Sequence, residues 1–158
     1  MTFDELITAG RASNELTMPA SWAQGRATFG GLVTGLLFDR MEGIVTGARP
    51  VRSMHVSFVG PVEAEVPATF VVQILREGRS VSQVEGRIIQ NEEPRVVCIA
   101  AFAGDRESAV RIDGVSAPEI KPVDQCQALP YIEGVTPGFI GHIDMRWAYG
   151  SMPFTGGR

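Results

Sequence analysis

The sequence predicts an α+β domain in which a curved antiparallel β-sheet is wrapped around one long central helix. Three features predict it. One long apolar stretch between Phe29 and Gly47 has helical spacing, four alternating stretches follow Pro50, and tight turns join those stretches. A sheet with one apolar face must cover that face, and a single enclosed helix does so economically.

Taken in order, residues 2–9 predict a short opening helix. Thr2 stands at the N-cap and Glu5 three places on, the pattern of a capping box. Residues 16–24 predict a strand ending near Gly25. In the central stretch Leu32, Val33, Leu36, Leu37, Met41, Ile44 and Val45 recur at helical intervals. Phe38 widens the apolar face to most of the circumference, and Asp39, Arg40 and Glu42 mark the polar remnant. Gly35 and Gly43 each cost about 1 kcal/mol of helix propensity relative to alanine, which predicts close packing against the helix backbone. After Pro50 the period becomes two. Residues 51–59 predict a strand with Met54, Val56 and Phe58 on one face and His55 and Ser57 on the other, broken by Gly60-Pro61. Strands at 68–76, 80–90 and 95–103 follow, joined by turns at Glu77-Gly78-Arg79 and Asn91–Pro94.

From about Gly104 the periodicity fades. The reading is a domain over residues 1–112, a proline-rich linker over 113–138 carrying Pro118, Pro122, Pro130 and Pro137, and the first strand of a second, truncated domain over 139–158. A net charge of −4 gives no basic excess for nucleic acid, so no nucleic-acid partner is expected. No apolar run is long enough for a membrane span. The acidic start Met1–Ile7 is unlike a signal peptide, so a cytoplasmic protein is expected. Cys98 and Cys126 lack metal-ligand spacing, and His55 and His142 lie far apart, so no metal and no disulfide are expected. Cys98, within Arg95–Phe102, reads as a small buried hydrophobe.

Several segments in order resemble the double-hotdog acyl-CoA thioesterases of the type II, thioesterase-like superfamily. They are Phe29-Gly30-Gly31-Leu32-Val33, Arg52–Pro61, Leu75-Arg76-Glu77-Gly78-Arg79-Ser80, Gln90 before a turn, and Ala101-Phe102-Ala103. The match covers residues 20 to 106 and is similar to the amino-terminal hotdog half. His142–Trp147 followed by Met152-Pro153-Phe154 resembles the linker and first strand of the second half. The resemblance implies hydrolysis or binding of fatty acyl-CoA thioesters, with coenzyme A thioester as substrate, no cofactor, and a homodimer or larger hotdog assembly. In the family an Asp, a Thr or Ser, and a Gln position the attacking water, and they lie in the second half. Laying that pattern over this chain places Gly35, Arg52 and roughly Ala103 at the three positions, and none of these can replace the group it stands for.

Candidate site residues follow from thioester chemistry. A thioester is activated by hydrogen bonds to its carbonyl oxygen, which free amides at a helix start supply; Gly30 and Gly31 fit that role, or else only allow a tight helix entry. Asp39 is the candidate base for water, with Glu42 three residues on; single-hotdog thioesterases place a carboxylate near this point, one residue out of register with Asp39. The alternative is a salt-bridged polar stripe paired with Arg40 or Arg49. Gly78, Arg79 and Ser80 are candidates for the pantetheine or phosphate end of coenzyme A, or form only a hairpin turn. Readings from other classes stay open: a non-catalytic half that binds acyl chains or serves as a scaffold, a hotdog dehydratase using His55, and a β-barrel lipid carrier.

Overall fold

The computed structural model describes residues 1–150. Helix α1 (Phe3–Ala12) begins at the expected capping box: the Glu5 amide donates to Thr2 Oγ1 at 3.3 Å and the Thr2 amide to Glu5 Oε2 at 2.8 Å. Strand β1 (Glu15–Thr17) is shorter than the expected strand over 16–24. Pro19 has no amide to offer a ladder and opens a 3-10 turn, Ala20–Trp22, instead. A small hairpin, β2 (Ala23–Gln24) and β3 (Ala27–Thr28), turns on Gly25 at a φ of 64°. Helix α2 (Gly30–Gly43) follows, burying Leu32, Val33, Leu36, Leu37 and Met41.

Four strands come next: β4 (Val51–Phe58), β5 (Pro67–Glu77), β6 (Val81–Gln90) and β7 (Glu93–Ala103). They match the alternating stretches of the sequence closely. With β1 they form an antiparallel five-stranded sheet in the order β1-β5-β6-β7-β4. The register sets Val84 opposite Ile74 and Ala100, and Met54 opposite Ala100. One face carries the buried residues Phe70, Val84, Ile88, Val96, Cys98 and Phe102. Gln90, 2% exposed, ties down the loop before β5: it accepts from the Glu63 amide at 2.8 Å and donates to the Glu63 and Val66 carbonyls at 2.9 Å.

The expectation of a curved sheet wrapped around one long central helix is not met. The sheet is open, with β1 and β4 as its edges, and α2 lies across β5 and β6 on one face. Two helices share the covering role. Phe3 of α1 rests on Gly35, with ring carbons 3.2 Å from where a β-carbon would stand, and Leu6 is fully buried. The broad apolar circumference of α2 is thus met by a sheet on one side and a helix on the other, which removes the need for the sheet to curl. Close packing was expected at Gly43 as well, but nothing approaches within 4 Å there.

Beyond β7, strands β8 (Gln127–Ala128) and β9 (Arg146–Trp147) pair with each other, and Gly138–His142 forms a 3-10 helix. Residues 139–149, which resemble a strand in sequence, therefore contain only two residues of one. Met152–Phe154 and the rest of 151–158 lie outside the described residues.

Gly86, in the middle of β6, sits where α2 comes closest to the sheet: a β-carbon there would lie 2.7 Å from Met41 Sδ and 3.0 Å from Leu37 Cγ. Gly86→Ala is expected to destabilise the fold by about 1–3 kcal/mol through overpacking, read as a lowered urea midpoint with unchanged slope. On the opposite face the Glu85 carboxylate accepts from Arg87 Nε, and from Gln73 Nε2 at 2.7 Å. These bonds, Arg87's first, hold Glu85 below the ordinary carboxylate range. A depressed folded-state value adds stability that is complete above the unfolded range and is lost as pH falls through the folded one. Unfolding measured from neutral into acid pH should lose less stability in Glu85→Gln than in the parent chain.

Candidate functional site

The first turn of α2 has backbone donors without acceptors. Phe29 caps the helix with no side-chain hydrogen bond, and its own amide donates to the Trp22 carbonyl at 2.9 Å. The first amide bonded back along the helix is that of Val33, to the Phe29 carbonyl at 3.3 Å. The amides of Gly30, Gly31 and Leu32 precede it and have no acceptor within the helix. Aromatic rings lie beside them, although Gly31 is exposed. Phe58 at the end of β4 lies 3.1 Å from where a Gly30 β-carbon would stand, the Phe29 ring turns over Gly31, and Phe139 stacks on Phe29 with centroids 4.1 Å apart. Donors aimed outward between apolar rings suit a carbonyl oxygen that gains negative charge.

Asp39 lies on the same helix, nine residues beyond Gly30 and roughly 13 Å along the axis at 1.5 Å per residue. Its carboxylate is gripped by Arg11 of α1, with Nη2 at 2.5 Å and Nε at 3.0 Å, and its side chain is 17% exposed. The partner is therefore Arg11, and neither Arg40 nor Arg49. Arg40 turns inward instead. It donates to the Ser13 carbonyl at 2.9 Å and stacks 3.9 Å over the Phe70 ring. Burial lowers its guanidinium from the usual value, against the pull of Asp39. Gly10 in α1 leaves the room this needs, since a β-carbon there would lie 2.9 Å from Arg40 Nη1. Glu42 is exposed and shares with Asp39 a cleft of about 380 Å³ against Val72.

Gly78, Arg79 and Ser80 come together at the tip of the β5–β6 hairpin, where the Gly78 amide donates to the Val81 carbonyl at 2.8 Å. Arg79 and Ser80 also line a cleft of about 470 Å³ with Arg49 and Arg106. Sequence reasoning missed that pair. Arg49 follows α2 and Arg106 follows β7, and only the sheet brings them to the hairpin. The expected residues thus form three groups: Gly30 with Gly31, Asp39 with Glu42, and Gly78 with Arg79 and Ser80. The fold does not bring these groups together within one chain.

The remaining reactive side chains are placed as follows. His55 is exposed on the outer face of the sheet, opposite Ile99. Cys98 is 2% exposed, and burial pushes its thiol up, away from a nucleophilic thiolate. Cys98 and Cys126 are both free. Among the described residues no cluster of three His, Cys, Asp or Glu side chains could hold a metal ion. Arg52, one of the positions matched to the family's catalytic set, donates to the carbonyl of a second, Ala103, at 2.9 Å, while Gly35 lies under Phe3. No helix among the described residues is long and apolar enough to cross a membrane.

Known proteins with the same architecture agree on the fold. A candidate thioesterase II from Thermobifida fusca has a TM-score of 0.69 at 21% identity, over 85% of this chain and 49% of that one. A protein of unknown function with a hot dog fold from Alicyclobacillus acidocaldarius has a TM-score of 0.67 at 16% identity, over 80% and 47%. An acyl-CoA thioesterase II from Mycobacterium marinum has a TM-score of 0.53 at 22% identity, over 68% and 47%. The chain spans about half the length of each of these structures. No curated protein sequence matches it. The likeness to these solved structures is one of fold alone. The pattern of the acyl-CoA thioesterase N-terminal domain runs through residues 18–103, from the approach to α2 to the end of β7, and the chain belongs to that family.

Proposed function

We propose that the chain is the amino-terminal hotdog half of a protein that hydrolyses fatty acyl-CoA thioesters with water and no cofactor. The observation that carries the reading is the uncapped first turn of α2, where the Gly30 and Gly31 amides open between Phe29 and Phe58. The thioester carbonyl oxygen accepts from these amides. Water attacks the carbonyl carbon, a C–O bond forms and the C–S bond breaks, and the products are the carboxylic acid and the coenzyme A thiol. The donors gain strength as charge develops on the oxygen, so they favour the transition state over the ground state. Asp39, with Glu42 beside it, is the carboxylate proposed to orient the water, and Gly78, Arg79 and Ser80 face the coenzyme A end.

In this reading residues 1–112 are the hotdog, 113–138 the linker, and 139–158 the opening of a second hotdog. Because Asp39 and the α2 amides are far apart on one helix, a complete site needs a second copy or a second half. Edge strand β4 is the proposed meeting place. Among the described residues it pairs only with β7, and its inward-facing Met54 and Phe58 are 42% and 57% exposed. An open edge with apolar side chains is a ready template for another strand.

One observation favours a second reading, a non-catalytic half that binds acyl chains or serves as a scaffold. Arg11 occupies both oxygens of Asp39, and Gly35, Arg52 and Ala103 stand where the family's catalytic set would be. Free-thiol release from a panel of acyl-CoAs, run beside a binding measurement, separates the two. Hydrolysis is expected; binding without thiol release would leave the scaffold reading. Asp39→Asn should lower turnover by about 10²- to 10⁴-fold, with little change in thermal stability because the Arg11 side of the pair stands in solvent; unchanged turnover removes Asp39 from the chemistry. Size-exclusion chromatography with light scattering should give a dimer or larger assembly, and a well-behaved monomer counts against pairing through β4.

A further inference from the structure

We infer that residues 137–142 form a strap that positions the free amides of α2, with Phe139 and His142 as its positioning residues; the inference rests on the thioester reading above. The strap docks on the loop that enters α2. Phe139, 8% exposed, stacks on Phe29 with centroids 4.1 Å apart and planes 3° apart. His142 stacks on Trp22 at 4.2 Å and 5°, and its Nε2 shares a hydrogen bond with Ser21 Oγ at 3.1 Å. Between the two stacks Ile140 packs against the core.

The two residues that the strap holds are the ones that aim the amides. The Phe29 amide donates to the Trp22 carbonyl at 2.9 Å, which closes the entry loop directly before Gly30. The Phe29 carbonyl then accepts from the Val33 amide at 3.3 Å and starts the helix ladder. Trp22 is held at its edge as well, where Nε1 donates to the Met1 carbonyl at 3.0 Å. No side-chain hydrogen bond caps α2. An aromatic pair stabilises on the same scale as a side-chain cap, so the stack on Phe139 fixes the helix start in a cap's place. The Phe29 ring lies over Gly31, and Phe139 sets the orientation of that ring.

Gly138 sets how closely the strap seats. A β-carbon there would lie 2.7 Å from the Ser21 carbonyl oxygen and 3.2 Å from its carbon, and neither backbone atom can turn aside. At Gly141 a β-carbon would meet the Tyr131 ring at 3.5 Å, an ordinary contact. One added methyl therefore lifts the strap at position 138 and leaves it seated at 141. The strap lies beyond β7 and outside the five-stranded sheet, so its release leaves the pairing of that sheet intact.

The test compares the full parent chain with Gly138→Ala, Phe139→Leu and, as a control, Gly141→Ala. Amide chemical shifts and deuterium exchange are followed by NMR at Phe29, Gly30 and Gly31, with Gly86 as the reference within the sheet. Gly138→Ala and Phe139→Leu should speed exchange of the Phe29 amide by about tenfold and move the Gly30 and Gly31 signals. Gly86 should stay unchanged throughout, and Gly141→Ala should match the parent. In acyl-CoA hydrolysis the same two substitutions should lower kcat by about 10- to 100-fold and leave KM within about twofold, because donors that act in the transition state have lost their aim. Unmoved Gly30 and Gly31 signals overturn the strap, as does an equal response in Gly141→Ala. Moved signals with kcat unchanged, or a rise in KM alone, overturn the positioning role. The amide response in a chain whose parent releases no thiol supports the strap and removes hydrolysis alone.

Discussion

A β-carbon at position 86 would fall within 3.0 Å of both Met41 and Leu37, so the distance between α2 and the sheet is set by the one residue of β6 that has no side chain. Interiors packed at crystal-like density leave no slack at such a contact. With Leu36, Leu37 and Met41 pressed toward the sheet, the rest of the helix surface is committed. Gly35 turns to α1 and receives Phe3; Gly30 turns to β4 and receives Phe58. The direction in which the free amides of the first turn point follows from the same placement. A helix held farther out would draw Gly30 away from Phe58.

The two ends of α2 then differ in kind. At its start, donors without acceptors lie between aromatic rings, and the positive end of the helix dipole favours an oxygen that gains charge. Past its end, the chain runs into Arg49, which joins the loop to the hairpin through Ser82 and Arg79. One end sets unpaired amides against aromatic rings, and past the other end the chain sets an arginine against the hairpin.

How much of this was legible in the sequence depended on the range of the interaction. Local signals carry local elements: Thr2 and Glu5 the α1 cap, the alternation β4 to β7, and the spacing of Leu32 to Met41 α2. Pro19 was also a local signal and should have shortened the strand over 16–24, since proline cannot join a ladder. The wrapped sheet was a wrong inference from a right observation. The apolar circumference of α2 is broad, but a sequence does not say whether strands or a second helix will cover it, and here α1 covers part. Gly86 is a local signal too, because glycine inside a strand marks a close approach of something else, but it does not say of what. The grip of Arg11 on Asp39 spans 28 residues, and the meeting of Arg49, Arg79 and Arg106 spans more. No periodicity encodes such contacts, which arise only once the register of the sheet is set.

The same helix that positions the amides also keeps the carboxylate from them. Gly30 and Asp39 are fixed on one rigid rod, nine residues apart, and no side-chain rotation closes roughly 13 Å. Moving the sheet does not help, because both residues move with α2. If amide and carboxylate act on one thioester, they must come from two different helices, and the second helix must lie on another hotdog unit. In the proposed pairing that unit meets the edge of β4 that is free among the described residues, beside Phe58 and Gly30. Catalysis and assembly are then the same question for this chain.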